Sequence, residues 1–334
     1  MKKETLECPF CKSSEIVENK QYCTKCNGYR VLYLCNKCGK TFSETINTFL
    51  FRLRKPIWLI VLVLKSLTEG MSINATKRTF NVSKNTIYLW IEKMSALKEV
   101  LYLYSICQQF IESVVEGDEL YTKVGKNMPQ EDSLGWTIVL IERRTRFLWL
   151  LKCGKKDKQL FKDAMRIMYD LVKQSKDFKL FTDGERRYAN MLFEICYELI
   201  YTGRRPKKTF KKGVKVRVKN KGSQAHKRGP KREKYQQPKK EHPENINDIK
   251  NSEIHANHVE GFNASLRRKN SAYRRKSNTY AKEQNRLQQR LDLHWIRHNF
   301  IELHFTTKQL PAVALNIVKK GYTFEEIFTL KMVA

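Results

Sequence analysis

Six of the nine cysteines form three Cys-x-x-Cys pairs within residues 8–38. The first pair, Cys8 and Cys11, is separated by 23 residues from the last pair, Cys35 and Cys38. Two such pairs supply the four thiolates of a tetrahedral Zn²⁺ site, and a unit this small depends on the metal for much of its stability. The spacing therefore predicts a structural zinc ribbon over residues 1–45.

The middle pair, Cys23 and Cys26, leaves the ligand set open. Four thiolates complete one tetrahedral site, whereas six complete two sites only with shared thiolates or other residues. We expect ligation by the outer four cysteines, with Cys23 and Cys26 on the connecting loop, and the alternative pairings stay open. The three single cysteines lie in apolar surroundings and are predicted to be inert core residues: Cys107, Cys153 and Cys196.

Three acidic residues stand out because of their positions in a basic chain. Asp118 lies in a predicted strand over 113–120, Asp183 follows a predicted strand over 178–182, and Glu260 lies in a helical stretch over 255–263. Carboxylates are the hard oxygen ligands that Mg²⁺ requires, and two such ions can catalyse in-line phosphoryl displacement. Spacing alone does not establish such a site, since solvated surface carboxylates are common.

The elements that must position these carboxylates form an alternating pattern. Residues 136–141 and 146–151 are β-branched or aromatic runs separated by four polar residues, which is typical of a hairpin. Residues 160–172 have helical periodicity, so the predicted order from residue 113 is β-β-β-α-β-α. This order favours a mixed sheet covered by helices, an α/β architecture. Residues 255–304, with no Pro and one Gly, should be mostly helical.

Residues 46–106 have the pattern of a helix-turn-helix module. Helices are predicted over 57–67 and 72–80, followed by a turn over 81–83 and a third helix that starts with Ser83 as its N-cap. The alternative is a three-helix packing module without a ligand. The predicted core residues are Val82, Ile87 and Ile91, and the residues that could reach DNA near the start of the third helix are Lys84, Asn85, Thr86 and Tyr88.

The charge balance indicates a polyanionic partner. The chain of 334 residues has 65 Lys+Arg against 34 Asp+Glu, a formal net charge of +31. Residues 204–240 alone hold 17 Lys+Arg and one acid, Glu233. We interpret residues 203–250 as a basic insertion that contacts phosphates and could be disordered without DNA, with a solvated linker as the alternative. Further cations close to Glu260 in the sequence could position DNA: Arg267, Arg268, Arg274, Arg275, Lys276 and Lys282.

The chain shows no targeting or membrane-spanning pattern. Its longest apolar run, residues 57–64, is far shorter than the ~20 residues that a membrane span needs. The first five residues have no apolar signal-peptide segment. We therefore expect a cytoplasmic, nucleoid-associated protein with no membrane partner, in which cysteines bind metal rather than form disulfides.

Several motifs resemble those of transposases of the insertion-sequence-one family, over nearly the whole chain. The most specific is the stretch over residues 254–282, whereas the two short acidic motifs are individually weak. The motifs are GDEL at 117–120, FTDG at 181–184, IHANHVEGFNASLRR at 254–268 and YRRKSNTYAK at 273–282, with GVKVRVKNKG at 213–222 and HFTT at 304–307. Two positions depart from the family pattern: Gly261 replaces an Arg, and Ser277 replaces a Thr.

The resemblance implies a DDE recombinase with an RNase H-like catalytic domain over residues 107–310, with helices on both faces of its mixed sheet, and a C-terminal tail over 311–334. It implies that Asp118, Asp183 and Glu260 bind two Mg²⁺ or Mn²⁺ ions per active site. In such folds one Asp lies within the first strand, another at the end of the fourth, and the Glu on a later helix. Glu116 and Glu119 flank Asp118, so the first assignment depends on the motif match.

The activity implied by the resemblance is DNA transposition. The zinc ribbon and helix-turn-helix would bind the terminal inverted repeats, and the triad would support hydrolysis at each element end and transfer of the 3′-OH strand to target DNA. A homo-oligomer on DNA is expected, because two ends must be held together. The rival functions are a non-catalytic DNA-binding regulator, a zinc-ribbon RNA-binding protein and a simple metal-dependent nuclease.

Overall fold

The computed structural model describes residues 6–108, 110–126, 128–182, 185–200, 205–210, 214–218, 253–274 and 277–332. The strands in these ranges are β1 Ile16–Thr24, β2 Gly28–Cys35, β3 Thr41–Ser43, β4 Phe110–Tyr121, β5 Trp136–Glu142, β6 Leu148–Gly154, β7 Ser175–Thr182, β8 Tyr197–Ile200, β9 Lys207–Phe210 and β10 Val214–Val218. The α-helices are α1 Ile57–Thr68, α2 Ile73–Phe80, α3 Lys84–Ile106, α4 Lys158–Gln174, α5 Arg186–Ile195, α6 Asn257–Lys269, α7 Gln284–Ile296, α8 Pro311–Ala314 and α9 Phe324–Phe328.

A small antiparallel sheet forms the N-terminal unit. Strands β1 and β2 form a hairpin, and β3 pairs with the other edge of β2. The hairpin starts beside the cysteine turns, where Ile16 pairs with Cys35, and its far end is reached where Thr24 pairs with Gly28. The four outer cysteines therefore lie together at one end of the sheet.

Helices α1, α2 and α3 confirm the predicted three-helix pattern. The side chain of Ser72 caps α2 and that of Ser83 caps α3, the latter accepting from the backbone N–H of Thr86 at 3.2 Å. Asn81 ends α2 in the left-handed conformation, with φ 49°, which allows the sharp turn between the helices. The predicted core residues are all buried: Val82, Ile87 and Ile91.

The central sheet has five strands in the order β10-β7-β4-β5-β6. Strand β4 pairs antiparallel with β5 and parallel with β7, and β10 is parallel to β7. Elements β4 to α5 follow one another as β-β-β-α-β-α, so the predicted order is confirmed. The fold is a mixed α/β architecture.

Helices cover both faces of this sheet. Leu160 of α4 lies 3.1 Å from the position that a Cβ would occupy at Gly154. The side chain of the preceding residue, Cys153, instead contacts α7, with its Sγ 3.7 Å from the Gln284 carbonyl. Because successive residues of a strand point to opposite faces, α4 and α7 lie on different sides of the sheet.

The three-helix unit of α1, α2 and α3 is packed against the C-terminal helices. Ser95 and Lys98 of α3 both contact the Asp292 carboxylate of α7 at 2.6 Å. The buried guanidinium of Arg290 reaches the Ser271 hydroxyl at 3.0 Å and the Leu67 carbonyl of α1 at 3.4 Å. These bonds join the N-terminal helices to α7.

The predicted C-terminal tail also packs on the N-terminal helices. Phe328 of α9 stacks on Phe49 with ring centroids 4.0 Å apart, and the Met332 N–H donates to the Asn47 carbonyl at 2.7 Å. Residues 311–332 are therefore part of the folded core rather than an extension from it.

Two sequence predictions need correction. The predicted basic insertion over 203–250 contains β9 and β10, and β10 is an edge strand of the central sheet. Val214 and Val216 are both buried. They alternate with cations in the sequence, which is the pattern of a strand with one apolar face. The rest of the insertion lies outside the described residues, except 205 and 206. Cys107 is exposed, unlike Cys153 and Cys196, because it caps the end of α3.

No helix within the described ranges is both long enough and apolar enough to cross a membrane.

Candidate functional site

The four outer cysteines form a cluster that could bind Zn²⁺. Their ligand atoms all lie within 4.8 Å of one another. The Cys8 and Cys38 sulfurs are 3.7 Å apart, and those of Cys11 and Cys35 are 3.5 Å apart. Tetrahedral Zn–S bonds of ~2.3 Å place sulfurs ~3.8 Å apart, so the donor type and spacing fit the ion.

The middle cysteine pair does not belong to this cluster. Cys23 and Cys26 are both exposed, and Cys23 pairs with Tyr29 near the far end of the β1–β2 hairpin. Cys23 is seven residues along β1 from Ile16, a separation of about 23 Å at ~3.3 Å per residue. The hairpin therefore carries this pair away from the four outer cysteines. Cys26 lies in the hairpin turn, as predicted, whereas Cys23 lies in strand β1 rather than in a loop.

Asp118 lies near the end of β4 and contacts helix α6 directly. Its Oδ2 accepts a hydrogen bond from the side-chain amide of Asn263 at 2.7 Å, and its Oδ1 accepts one from the Glu119 backbone at 2.9 Å. Asn263 is buried, which fixes the amide against the strand. Glu260 precedes Asn263 by three residues, so the two share one face of α6.

Glu260 lies in the first turn of α6, where the helix dipole favours a negative charge. Its side chain is exposed, whereas that of Asp118 is partly buried. The structure therefore brings the element that carries Glu260 against the strand that carries Asp118, with a solvent-accessible carboxylate on the helix.

Asp183 lies outside the described residues. It follows Thr182, the last residue of β7, and the β7 register places Phe181 beside Glu116 of β4. The Thr182 methyl group lies 3.5 Å from the position that a Cβ would occupy at Gly117. The described part of β7 thus ends against the residue that precedes Asp118.

Glu116 is a fully buried carboxylate that sequence reasoning did not single out as a site residue. Its Oε2 accepts from the backbone N–H groups of His258 and Val259 at 2.9 and 3.1 Å. The N-cap residue of α6, Ala256, offers no side-chain bond, so Glu116 satisfies this helix N-terminus from the neighbouring strand. Its other oxygen accepts from the Arg143 guanidinium at 2.8 Å.

Two imidazoles lie beside the same carboxylate. Nδ1 of His255 and Nε2 of His258 are 3.6 and 4.0 Å from Glu116 Oε1, and the three ligand atoms lie within 4.8 Å of one another. Arg143 also donates to the backbone carbonyls of Glu253 and His255, each at 2.7 Å. Because a cation and two amides already contact Glu116, we interpret this group as the anchor of α6 rather than as a metal centre.

Glu119 belongs to a separate set of ion pairs. Its Oε2 lies 3.1 Å from Lys156, and the Lys156 ammonium also lies 3.5 Å from Glu185. Arg187 donates to Glu185 at 2.9 Å, and its guanidinium holds the pKa of that carboxyl below its usual value against the effect of burial. Both acids that flank Asp118 are therefore ion-paired, and Asp118 itself accepts a hydrogen bond from the Asn263 amide of α6.

The predicted DNA-binding residues of α3 lie beside the segment after α6. Lys84 and Asn85 are exposed and line a cavity of about 440 Å³, which Lys282 and Tyr88 also line. The Tyr88 ring lies beneath the Arg286 guanidinium at 4.7 Å. The side chain of Thr86 instead bonds to the Ser83 hydroxyl at 2.9 Å.

The predicted cations near Glu260 separate into different places. Arg267 is partly buried in the last turn of α6, and Arg268 is exposed on another face of the same turn. Arg274 is exposed and follows a 3₁₀ turn, Ser271–Tyr273. Arg275 and Lys276 lie outside the described residues.

Sequence reasoning missed the groups that hold the carboxylates in place. Asn263 carries a signal that could have been used, because it lies one helical turn from Glu260 on the same side. The role of Glu116 has no such local signal, since its partners Arg143 and Val259 are 27 and 143 residues away.

No protein-family model matches the chain, and no curated protein matches it at a significant level. The described residues define a mixed α/β protein with an N-terminal four-cysteine cluster that could bind Zn²⁺, and a carboxylate of the central strand held against α6.

Proposed function

We propose that this protein is a DNA transposase, a metal-dependent DDE recombinase of the insertion-sequence-one type. The observation that carries the proposal is the 2.7 Å hydrogen bond between Asp118 and Asn263. It holds the strand carboxylate against the helix face that also bears Glu260. Asp118, Asp183 and Glu260 are the proposed catalytic residues.

The order of the strands supports an RNase H-like fold. Strand β4 is the first strand of the central sheet along the chain, and β7 is the fourth. Asp118 lies in the first of these and Asp183 follows the fourth, while Glu260 lies on a later helix. These are the positions that the resemblance implies for a DDE triad.

The proposed ligands suit Mg²⁺ or Mn²⁺, because carboxylate oxygens are the donors that these ions prefer. Two divalent ions would activate water and stabilise the attacking and leaving oxygens of the phosphodiester. The protein's own contribution is to position the carboxylates. Asn263 orients the Asp118 carboxylate, and the cap by Glu116 fixes the first turn of α6, where Glu260 lies.

DNA recognition is assigned to the N-terminal units. Lys84 and Asn85 are exposed at the N-terminus of α3, the position from which a recognition helix contacts bases. The net charge of +31 supplies attraction for phosphates over the rest of the surface. Two ends must be held together for strand transfer, so the active form is proposed to be a homo-oligomer on DNA.

The test is cleavage and joining of DNA that carries the sequences flanking the gene, with Mg²⁺ or Mn²⁺. We expect cleavage at the element ends and transfer of the 3′-OH strand by the native protein. Asp118→Asn should lower the cleavage rate by at least about 100-fold, since changes to groups around metal ligands already cost ~10–100-fold. Binding to the ends should be retained.

Asp132→Asn is the matched control, because Asp132 is a half-exposed surface carboxylate paired with Lys155. It should cut at the native rate. End binding without cleavage by any of the proteins would favour a regulator and overturn the enzyme assignment. Degradation without joining would favour a simple nuclease.

A further inference from the structure

A polar cavity of about 390 Å³ lies on the opposite side of α6 from Asp118. Asn257, Gly261, Ser265 and Arg268 line it, at helical spacings that mark one face of α6. Asn263 lies on the other face, where it contacts Asp118. The cavity is therefore separate from the proposed catalytic site, although the same helix borders both.

Two guanidiniums in this cavity have no acceptor within the described part of the chain. Arg146 and Arg268 make neither a hydrogen bond through their side chains nor an ion pair there. Arg146 lies in the β5–β6 turn with φ 64°, and burial lowers the pKa of its guanidinium. Lys269 in the same wall is already paired with Glu302 at 2.6 Å. The arginines provide two planar, charged donor groups suited to a phosphate.

His304 supplies a neutral donor to the same cavity. Its Nδ1 accepts from the backbone N–H groups of Thr306 and Thr307 at 3.3 and 3.4 Å, which leaves the proton on Nε2 in the neutral ring. Burial lowers the pKa of this imidazole, so the neutral form predominates at pH 7. The lining thus adds an N–H donor without adding charge.

The rim of the cavity is apolar and exposed. Leu303 is 64% exposed and Phe305 is 84% exposed, the largest exposed fraction among the large apolar side chains of the described ranges. The Lys308 ammonium lies 4.2 Å from the Phe305 ring centroid, which adds a further positive charge beside the ring. An aromatic ring beside unpaired cations is the combination that binds single-stranded nucleic acid.

We infer that this cavity binds an unpaired nucleotide of a single DNA strand, with its phosphate on Arg146 and Arg268 and its base stacked on Phe305. The inference rests on the proposed function for its choice of DNA as ligand. The cavity volume falls within the ~300–1,000 Å³ range of small-ligand sites, which accommodates one nucleotide rather than a duplex. One strand could then be held on each side of α6.

The test is binding of a fluorescent single-stranded oligonucleotide and of a duplex by the full-length, zinc-loaded protein, without added divalent ions. Phe305→Ala should weaken single-strand binding about 5- to 150-fold, the range that corresponds to ~1–3 kcal/mol of stacking per base. It should leave duplex binding unchanged. Arg268→Gln should reduce the slope of log K against log salt for the single strand by about 0.7.

Tyr169→Ala is the matched control, since Tyr169 is 37% exposed and has Lys173 at 4.2 Å from its ring, as Phe305 has Lys308. It should bind both DNAs normally. Equal single-strand binding by the native protein and Phe305→Ala would overturn the inference. If Phe305→Ala changed only the oligomeric mass, the rim would be a protein contact and the inference would also be overturned. The same holds if Phe305→Ala weakened binding of single-stranded RNA more than binding of single-stranded DNA.

The outcome separates this inference from the proposed function. If the protein cleaves DNA with metal but Phe305→Ala binds the single strand as tightly as the native protein does, only the cavity assignment is rejected. Single-strand binding that depends on Phe305, without cleavage at any metal concentration, would reject the transposase and leave the cavity assignment standing.

Discussion

The Glu116 carboxylate accepts a hydrogen bond from the backbone N–H of Val259 at 3.1 Å, joining β4 to the first turn of α6. Glu116 lies two residues before Asp118, and Val259 directly precedes Glu260. The contact therefore fixes the two elements that carry the proposed carboxylates at the points nearest to them. Glu116 is a positioning residue in this interpretation.

Glu116→Gln should lower the free energy of unfolding by about 3 kcal/mol, because it removes the charge that compensates the mostly buried Arg143. Urea denaturation measures the change. Glu194→Gln is the control, since Glu194 and Lys158 form an exposed pair at 3.4 Å that should contribute less than ~1 kcal/mol. If both variants lost a similarly small free energy of unfolding, the anchoring role of Glu116 would be contradicted.

Asn263→Ala should lower the cleavage rate by about 10–100-fold while DNA binding stays unchanged, because the Asp118 carboxylate loses the amide that orients it. Single-turnover cleavage at saturating metal measures the rate. Asn285→Ala, at an exposed position of α7, should cut normally. If loss of the Asn263 amide left the rate at the native value, the contact would have no part in positioning.

The purified chain should contain one Zn²⁺ at the outer cysteines, and removal of the ion should unfold the N-terminal sheet. Cys35→Ser removes a buried thiol and should abolish stoichiometric zinc, because three thiolates bind the ion far more weakly. Elemental analysis of the protein measures the ratio. The double variant Cys23→Ser, Cys26→Ser should keep its zinc, and loss of zinc there would mean that the ligand set is wrong.

Stability should fall as pH falls from 8 to 5.5, because burial lowers the pKa of His298 to about 4. The folded ring stays neutral there, whereas the unfolded ring, with a pKa of ~6.5, takes up a proton. The folded protein therefore loses about 1.4 kcal/mol of stability over this range from His298 alone.

His298→Gln should reduce this pH dependence by a similar amount. Urea denaturation at both pH values provides the comparison, and the variant's difference from native at pH 8 reports only the lost packing and the bond to the Arg146 carbonyl. An unchanged slope between the two pH values would show that His298 does not titrate as its burial implies.

Local patterns predicted much of the fold because they act over a few residues. Ser83 has a capping hydroxyl at the correct position before an apolar helix, and the cysteine spacing specifies a turn and a ligand together. Valine alternation over 214–218 was also present in the sequence, but the surrounding cations obscured it. Its role as an edge strand depends on pairing with β7, 36 residues earlier.

The candidate site was less predictable because its geometry depends on distant pairings. Asp118 could be singled out by motif resemblance only, since Glu116 and Glu119 carry the same charge within two residues of it. What distinguishes them is their partners: Arg143 for Glu116, and Lys156 for Glu119. Those contacts exist only after the sheet has formed.

The buried Arg290 guanidinium reaches the end of α1 from α7. In the proposed transposase, this contact would hold the DNA-recognition helices at a fixed distance from the catalytic site. A reading helix on a flexible tether would let the cut fall at variable distances from the recognised base pairs. Here α3 is bonded through Ser95 and Lys98 to the helix that packs on the sheet, so the number of base pairs between reading and cutting is set by the fold. Element ends would have to match that length.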